Sequence, residues 1–230
     1  MLRIAALAGE AAQGLTLWWQ HPGQLSFNAD GQWGIFGHEF GGVKSNFIYK
    51  HTCDHARRQP VRTVCELGFM AGQSATMFLE ALPEARVVSF DLGDCEWTRP
   101  QGDLLRAAYG PRFELVLGLS NFTAPRFAAE HPDLRCDVLF VDGAKFTESR
   151  WSDLLNFRRL TQPGAALFYD EATSYECVKG TVPEDDPACV GMEGASRAYN
   201  RAARRGLVRP TECEWAPLRP RDGSCIAHFL

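Results

Sequence analysis

Val64-Cys65-Glu66-Leu67-Gly68-Phe69-Met70-Ala71-Gly72-Gln73-Ser74-Ala75 is the most informative segment of this chain. A short apolar run ends at the carboxylate of Glu66, two glycines follow four positions apart, and a helix-like run continues from Ser74. This order is typical of a strand, a tight turn and the start of a helix. Glycines in such a turn let the backbone approach a ligand closely, and the first N–H groups of the helix are free to bind it.

A second apolar run, Val87 to Phe90, ends at Asp91, nineteen residues after Gly72. An acidic residue about 20 positions after a glycine-rich turn is placed to accept hydrogen bonds from ribose hydroxyls. The turn has the pattern Glu-x-Gly-x-x-x-Gly, with Glu66 standing where the dinucleotide fingerprint Gly-x-Gly-x-x-Gly has its first glycine. It resembles motif I of class I S-adenosylmethionine (SAM) methyltransferases.

Size and composition suit one α/β domain. The chain has 230 residues, of which 45% are hydrophobic and 23% charged, and this is ordinary for a globular protein. A net charge of −4 gives no electrostatic case for nucleic acid, and no apolar stretch is long enough for a transmembrane helix. The apolar start is short and is interrupted by Glu10, which disfavours a signal peptide, and we expect a cytoplasmic protein.

The eight cysteines form no Cys-x-x-Cys pair and no zinc-type spacing with histidine. Cys65, Cys136 and Cys225 lie in or beside predicted strands, where a reduced cysteine packs as a small apolar side chain. The even number permits disulfides, and Cys177 with Cys189 could close one loop. We favour free thiols in a reducing compartment.

Apolar runs alternate with helix-like segments after residue 60. The predicted strands are 61–65, 86–90, 113–117, 137–141 and 165–169, and the predicted helices are 73–82, 101–109, 122–130, 148–160 and 193–205. This alternation predicts a Rossmann-like α/β fold, a mostly parallel sheet with helices on both faces. Pro163-Gly164 predicts a stop before the fifth strand, and Gly206 predicts the end of the last helix. Residues 214–230 predict a hairpin with its turn at Asp222-Gly223.

We divide the chain into a lead-in or lid segment, residues 1–55, and a single globular unit, residues 56–230. The lead-in is irregular or short-helical and rich in aromatic side chains, which either cover an aromatic acceptor or pack as a strip of core: Trp18, Trp19, Trp33, Phe36 and Phe40. Residues 174–192 predict a long loop, and long loops in compact domains often carry function.

Several residues near the predicted cofactor have two candidate roles. Glu66 either orients the turn or contacts the amino group of SAM, and Ser74 either donates to the SAM carboxylate or helps to start the helix. Ser120 follows the third predicted strand, so we expect it near the adenine, and it also suits a helix N-cap. Gly68 and Gly72 are expected to give close approach to the methionine part of SAM.

Acidic residues follow the fourth and fifth predicted strands. Asp142-Gly143-Ala144-Lys145 follows one strand, and Asp170-Glu171 follows the next. Three carboxylates that converge at one edge of a sheet repel one another, and a divalent cation would relieve the repulsion. Oxygen ligands suit Mg²⁺, with Mn²⁺ or Ca²⁺ as alternatives. Otherwise Asp142 contacts SAM alone and Asp170-Glu171 caps a helix.

The order of these motifs from Val61 to Thr173 is similar to the metal-dependent catechol and caffeoyl-CoA O-methyltransferases, and to the methyltransferases that act on macrolide sugars. The resemblance implies Asp142, Asp170 and Glu171 as metal ligands, with Lys145 as the catalytic base and Asp142 also at the cofactor. Glu171 replaces the usual asparagine, and it adds negative charge at the metal.

The implied chemistry is methyl transfer to an oxygen. SAM supplies the reactive methyl group, and coordination to Mg²⁺ would lower the pKa of an acceptor hydroxyl. Lys145 would take the proton if its own pKa is depressed, and it would otherwise form a salt bridge with the neighbouring carboxylates.

We therefore predict a class I methyltransferase with a seven-stranded, mostly parallel sheet whose last strand is antiparallel. It would use SAM, with a divalent metal, to methylate a hydroxyl of a small molecule. The alternatives are a metal-independent N- or O-methyltransferase, an NAD(P)-binding oxidoreductase and a non-catalytic SAM-binding partner subunit. We expect no nucleic acid or membrane partner, and we leave a homodimer open.

Overall fold

The structure of this protein is a computed structural model, and it describes residues 43–172, 194–216 and 219–230. In chain order the elements are α1 (Val43–Arg58), β1 (Thr63–Leu67), α2 (Gln73–Ala81), β2 (Arg86–Asp91), α3 (Thr98–Tyr109), a 3-10 helix (Gly110–Arg112), β3 (Phe113–Leu117), α4 (Ser120–Glu130), β4 (Cys136–Val141), α5 (Thr147–Arg158), β5 (Thr161–Ala172), α6 (Ala195–Arg204), β6 (Val208–Ala216) and β7 (Arg219–Phe229).

The seven strands form one sheet in the order β3-β2-β1-β4-β5-β7-β6. Strands β1 to β5 pair in parallel, and β7 is antiparallel to both β5 and β6. The predicted mostly parallel sheet with an antiparallel last strand is therefore confirmed. The strand order reverses between β1 and β4, and in open α/β sheets ligands bind beyond the carboxyl ends of the strands at such a point. We call this side of the sheet the carboxyl edge.

Both faces of the sheet are buried. On one face, α4, α5 and α6 cover a cluster that includes Leu139, Phe157 and Tyr199. On the other face, α1, α2 and α3 cover a cluster that includes Phe78 and Phe168. Side chains alternate between the faces along a strand, so strands covered on both sides need apolar residues at nearly every position. This explains why the strands appear in the sequence as continuous apolar runs.

Two features of the helices and strands differ from the sequence predictions. Helix α1 was not predicted, and it crosses the expected division at residue 55. Pro163 and Gly164 do not stop the chain before β5 but lie within it, exposed, where the pairing between β4 and β5 shifts register. A proline cannot donate to a strand neighbour, and a shifted register accommodates it.

The C-terminal hairpin forms, but its turn lies elsewhere than predicted. Gly223 is inside β7, opposite Trp215 of β6, and β6 begins at Val208. Residues 217–218, which connect the two strands, lie outside the described residues. Gly206 has a left-handed φ of 67° and follows the last helix, as predicted.

The expectation of free thiols is wrong for four cysteines. Cys65 of β1 and Cys136 of β4 form one disulfide, and Cys213 of β6 and Cys225 of β7 form another. Cys213 and Cys225 are direct partners across two antiparallel strands, and this places their side chains on the same face of the sheet. Cys53 and Cys95 are free thiols. Cys177 and Cys189 lie outside the described residues, as does the predicted loop 174–192.

None of the helices in the described ranges combines the length and the apolar character that a membrane span requires. The aromatic side chains of the predicted lid, at positions 18 to 40, also lie outside those ranges.

Candidate active site

The glycine turn connects β1 to α2 at the carboxyl edge. Gly68 and Gly72 have φ values of 95° and 80°, in the left-handed region that favours glycine. A Cβ atom on Gly68 would lie 2.4 Å from the carbonyl oxygen of Asp142, and one on Gly72 would lie 2.7 Å from the ring of Phe69. The glycines therefore serve the packing of the turn against its neighbours.

Asp91 ends β2 and holds the same turn. Its Oδ2 accepts hydrogen bonds from the backbone N–H groups of Phe69 and Met70, each at 2.9 Å. Its Oδ1 accepts one from the N–H of Gly93 at 2.8 Å. Each carboxylate oxygen has two lone pairs, so Oδ1 retains capacity for a further donor. The predicted contact with a ribose hydroxyl stays a prediction, and the structure adds that Asp91 shapes the cofactor loop.

Glu66 is completely buried beneath the turn. Its carboxylate accepts hydrogen bonds from the hydroxyls of Ser74, at the start of α2, and of Ser89, at 2.6 Å in β2. Burial, only partly offset by these two hydrogen bonds, raises the pKa of Glu66 to about 7. Of its two candidate roles, the geometry favours orientation of the turn. The hydroxyl of Ser74 is likewise used inside the protein, where it ties the start of α2 to β1.

Ser120 is the first residue of α4 and not its N-cap, since the capping position belongs to Leu119. Its hydroxyl donates to Oδ1 of Asp153 in α5 at 2.6 Å. Burial raises the pKa of Asp153, while the hydrogen bond from Ser120 opposes that effect. The contact joins α4 to α5 beside the carboxyl edge. The predicted place of Ser120 near an adenine remains a prediction.

Lys145 lies in the connection between β4 and α5, with two carboxylates around it. Its Nζ is 2.8 Å from Oδ1 of Asp142 and 2.9 Å from Oε1 of Glu171. The side chain of Lys145 is 33% exposed and that of Glu171 only 6%. Lys145 therefore reaches solvent at the carboxyl edge while its ammonium group bridges two elements.

The pKa of Lys145 is raised. Burial acts to lower it, but attraction to Asp142 and Glu171 outweighs burial. Burial also raises the pKa of Glu171, against the effect of Lys145. The lysine is therefore held as an ammonium ion in the protein without an acceptor, and the salt-bridge alternative describes this state.

Arg150, in the first half of α5, is a site residue that the sequence analysis missed. Its side chain is fully buried, and its Nη2 lies 3.1 Å from Oε2 of Glu171 and 3.6 Å from Oδ1 of Asp142. The same guanidinium donates to the backbone carbonyl of Val141 at 2.8 Å and to those of the next loop. It thus joins the ends of β4 and β5 from inside the fold.

Asp170 and Glu171 are neighbours in sequence, yet they face different partners. Oδ1 of Asp170 accepts a hydrogen bond from the hydroxyl of Ser224 in β7 at 2.6 Å, whereas Glu171 meets Lys145 and Arg150. Glu171 has a left-handed φ of 62°, at a register irregularity in β5. This irregularity explains why the two carboxylates diverge.

The predicted metal ligands do not form a metal-binding group in the part of the chain that the structure describes. No set of three His, Cys, Asp or Glu side chains there is arranged to hold an ion. Asp142 and Glu171 come together, but around two cationic side chains, and Asp170 is bonded to Ser224. The described residues therefore do not fit the predicted metal, which stays a prediction.

The fold and this edge together define a class of protein. Three features lie together near the point where the strand order reverses: a glycine turn after β1, an acid after β2 and an Asp-x-x-Lys segment after β4. This arrangement resembles that of a SAM-dependent methyltransferase. Residues 65–172 match the family model described as a methyltransferase domain. The match runs from β1 to the end of β5 and contains every site residue named above except Ser224. These residues therefore resemble a methyltransferase domain, in agreement with the motifs of the sequence.

Solved structures share the fold. An O-methyltransferase from Bacillus cereus in complex with SAH (S-adenosylhomocysteine) has a TM-score of 0.62 at 17% identity, over 100% of this chain and 91% of that one. TomG, an O-methyltransferase from Streptomyces achromogenes involved in tomaymycin synthesis and solved with SAM, has a TM-score of 0.60 at 20% identity, over 99% and 89%. A putative caffeoyl-CoA O-methyltransferase from Staphylococcus aureus has a TM-score of 0.56 at 15% identity, over 80% and 83%. No curated protein matches this chain in sequence.

Proposed function

We propose that this protein transfers the methyl group of SAM to a hydroxyl group of a small molecule. One observation carries the proposal. The glycine turn that suits the donor and the partly exposed side chain of Lys145 lie on adjacent strand ends, joined by the contact between Gly68 and Asp142. A donor and an acceptor bound at these two places would be neighbours.

The donor half rests on the loop after β1. Gly68 and Gly72 let the loop pack closely and adopt positive φ values, and Asp91 fixes its shape while retaining an acceptor lone pair on Oδ1. These features suit the methionine part and the ribose of SAM. Bound SAM would supply the electrophilic methyl group of a sulfonium ion, and the protein would supply position.

The acceptor half rests on Lys145. With its pKa raised, this residue is a cation, so we assign it to electrostatic stabilisation rather than to proton abstraction by a free amine. A hydroxyl bound at Nζ would be favoured as its oxyanion, with its proton released to solvent. The oxyanion then forms the O–CH₃ bond as the C–S bond breaks, and the electron pair of that bond remains on sulfur to give SAH.

Metal assistance is the finer form of this proposal, and the family resemblance alone supports it. Its test is the rate of methyl transfer in EDTA and after addition of Mg²⁺, where loss and restoration would support it. The same assay tests two alternatives. An N-methylated product would indicate transfer to nitrogen, and the absence of any product would favour a non-catalytic SAM-binding role. An NAD(P)-binding oxidoreductase is disfavoured because the methyltransferase family model covers the cofactor loop.

The decisive experiment separates donor binding from turnover. Purified protein is assayed with methyl-labelled SAM against a panel of catechols, other phenols and sugar hydroxyls, and SAH affinity is measured by calorimetry. Lys145→Ala should lower turnover by roughly a hundredfold, as loss of an oxyanion-stabilising group does, with little change in SAH affinity. Lys50→Ala, an exposed lysine of α1, is the matched control. Equal losses of turnover and SAH affinity would make Lys145 structural and would refute its assignment.

A further inference from the structure

Arg150 takes a position that an arginine seldom occupies. Arginine is rarely buried completely unless it is paired. This side chain has no exposed surface, and it is paired with Glu171. Four backbone carbonyls, those of Val141, Gly143, Ala144 and Asp170, accept from its guanidinium nitrogens, and the ring of Tyr169 packs 5.0 Å away. The group is therefore built into the connection that carries Lys145.

The charges around this connection balance. Asp142 and Glu171 contribute two negative charges, and Lys145 and Arg150 contribute two positive charges, with every opposite pair within 3.6 Å. The two cations approach Glu171 from different sides, because Lys145 meets Oε1 and Arg150 meets Oε2. Both oxygens of this carboxylate are thus engaged by cations of the protein.

The backbone of Glu171 supports the same interpretation. A glutamate with a φ of 62° is uncommon, and such strain persists only where the surroundings require it. Here the strained residue lies at the irregularity in β5 that separates Glu171 from Asp170. Its conformation directs the carboxylate toward Lys145 and Arg150. The carboxylate of Asp170, which would have to share a metal with it, instead bonds to Ser224.

We infer that Arg150 acts as an internal cation, which takes the place of the divalent metal that the family resemblance assigns to Asp142, Asp170 and Glu171 and positions Lys145 for methyl transfer without an added metal. The inference rests on the proposed function for its catalytic part. Arg150 is a positioning residue, since it contacts the two carboxylates and not the acceptor. It offsets half of their charge from inside the fold, while Lys145 meets them from the side that is partly exposed.

The geometry also explains why a metal would compete poorly. An ion between Asp142 and Glu171 would have to displace the ammonium of Lys145, which bridges both carboxylates, or the fully buried guanidinium of Arg150, which is also bound to carbonyl oxygens. The displaced arginine would remain as a buried charge without its partners, a strongly unfavourable state. A two-charge cation added to a balanced group of four would also leave an excess of positive charge.

The test measures Mn²⁺ binding by electron paramagnetic resonance on SAH-loaded protein, with no acceptor present. In the native chain, Mn²⁺ at roughly 100 μM should remain free, as it should in Glu171→Gln. Arg150→Met frees two carboxylates and four carbonyl oxygens for an ion, and it should bind Mn²⁺ at least tenfold more tightly than the native chain. The double variant Arg150→Met with Glu171→Gln should lose that gain.

Two results would overturn the inference. One is stoichiometric Mn²⁺ binding by the native chain that disappears in Glu171→Gln, and this comparison decides the matter even if Arg150→Met does not fold. The other is a folded Arg150→Met protein that binds Mn²⁺ no better than the native chain. Neither readout requires methyl transfer, so a failure of the proposed function, seen as no product from any acceptor, is distinguishable from a failure of this inference.

Discussion

Glu66 offers a quantitative test of how the cofactor loop is held. Its carboxylate is buried and receives hydroxyl hydrogen bonds from Ser74 and Ser89, and burial raises its pKa from 4.5 to about 7. In the unfolded chain the group would titrate at its ordinary value. Between these two values the folded state binds a proton that the unfolded state has lost. Stability should therefore fall as pH rises from 4.5 through 7, and it should level off above that.

The size of the effect follows from the shift. One pKa unit corresponds to about 1.4 kcal/mol, so a rise from 4.5 to about 7 corresponds to about 3 kcal/mol. Glu66→Gln keeps the shape and much of the hydrogen bonding but does not titrate. The free energy of unfolding of this variant, relative to that of the native chain, should increase by about 3 kcal/mol between about pH 4.5 and pH 8.

The assay is urea denaturation at several pH values, with the free energy of unfolding taken by linear extrapolation. Glu130→Gln, which removes an exposed glutamate of α4, serves as the control for loss of a surface carboxylate. A stability difference between Glu66→Gln and the native chain that does not change with pH would refute the reasoning, because it would mean that Glu66 is ionised in the fold without cost.

Two further predictions concern the same loop. Asp91→Ala removes the acceptor of three backbone N–H groups, so SAH affinity measured by calorimetry should fall at least tenfold; an unchanged affinity would separate Asp91 from the cofactor. Gly68→Ala should destabilise the protein more than Gly110→Ala does, by a difference of about 2 kcal/mol or more. Both glycines have positive φ, but of the two only Gly68 has a neighbour within contact distance. Similar denaturation midpoints for the two alanine variants would contradict the close approach to Asp142.

The sheet was predictable because its strands are covered on both faces. Each buried strand must be apolar at nearly every position, and the run therefore stands out from the more polar helices around it. Helix α1 lacks this advantage. Its sequence mixes the core residues Phe47 and Ile48 with many polar residues. A helix of this kind gives a weak periodic signal.

The acidic residues of the site were predicted from their positions at strand ends, but their cationic partner Arg150 was not. Strand ends identify where carboxylates gather, and they say nothing about a side chain that arrives from a helix. Arg150 does have a signal in the sequence. It lies with Asp153, Leu154 and Phe157 on the spacing that forms one buried face of α5. Two charged residues on the apolar stripe of a helix next to an acidic strand end predict a buried ionic network.

The turn after β1 illustrates a different limit of prediction. Its glycines indicated close approach to a ligand, and the pattern could not reveal that Gly68 also approaches the carbonyl of Asp142. Contacts between chain segments far apart in sequence depend on the register of β1 against β4, and that register appears only in the structure. The same reason explains why the pairing of Cys65 with Cys136 was not foreseen.

The contact between Gly68 and Asp142 couples the two halves of the reaction. The N–H of Asp142 also donates to the carbonyl of Leu67 at 2.8 Å, so the peptide that carries this carboxylate is fastened to the cofactor loop on both sides. We therefore expect a movement of this loop to shift the segment that carries Lys145. Occupancy by one ligand should consequently alter the affinity for the other, and thermodynamic reciprocity requires the two effects to be equal.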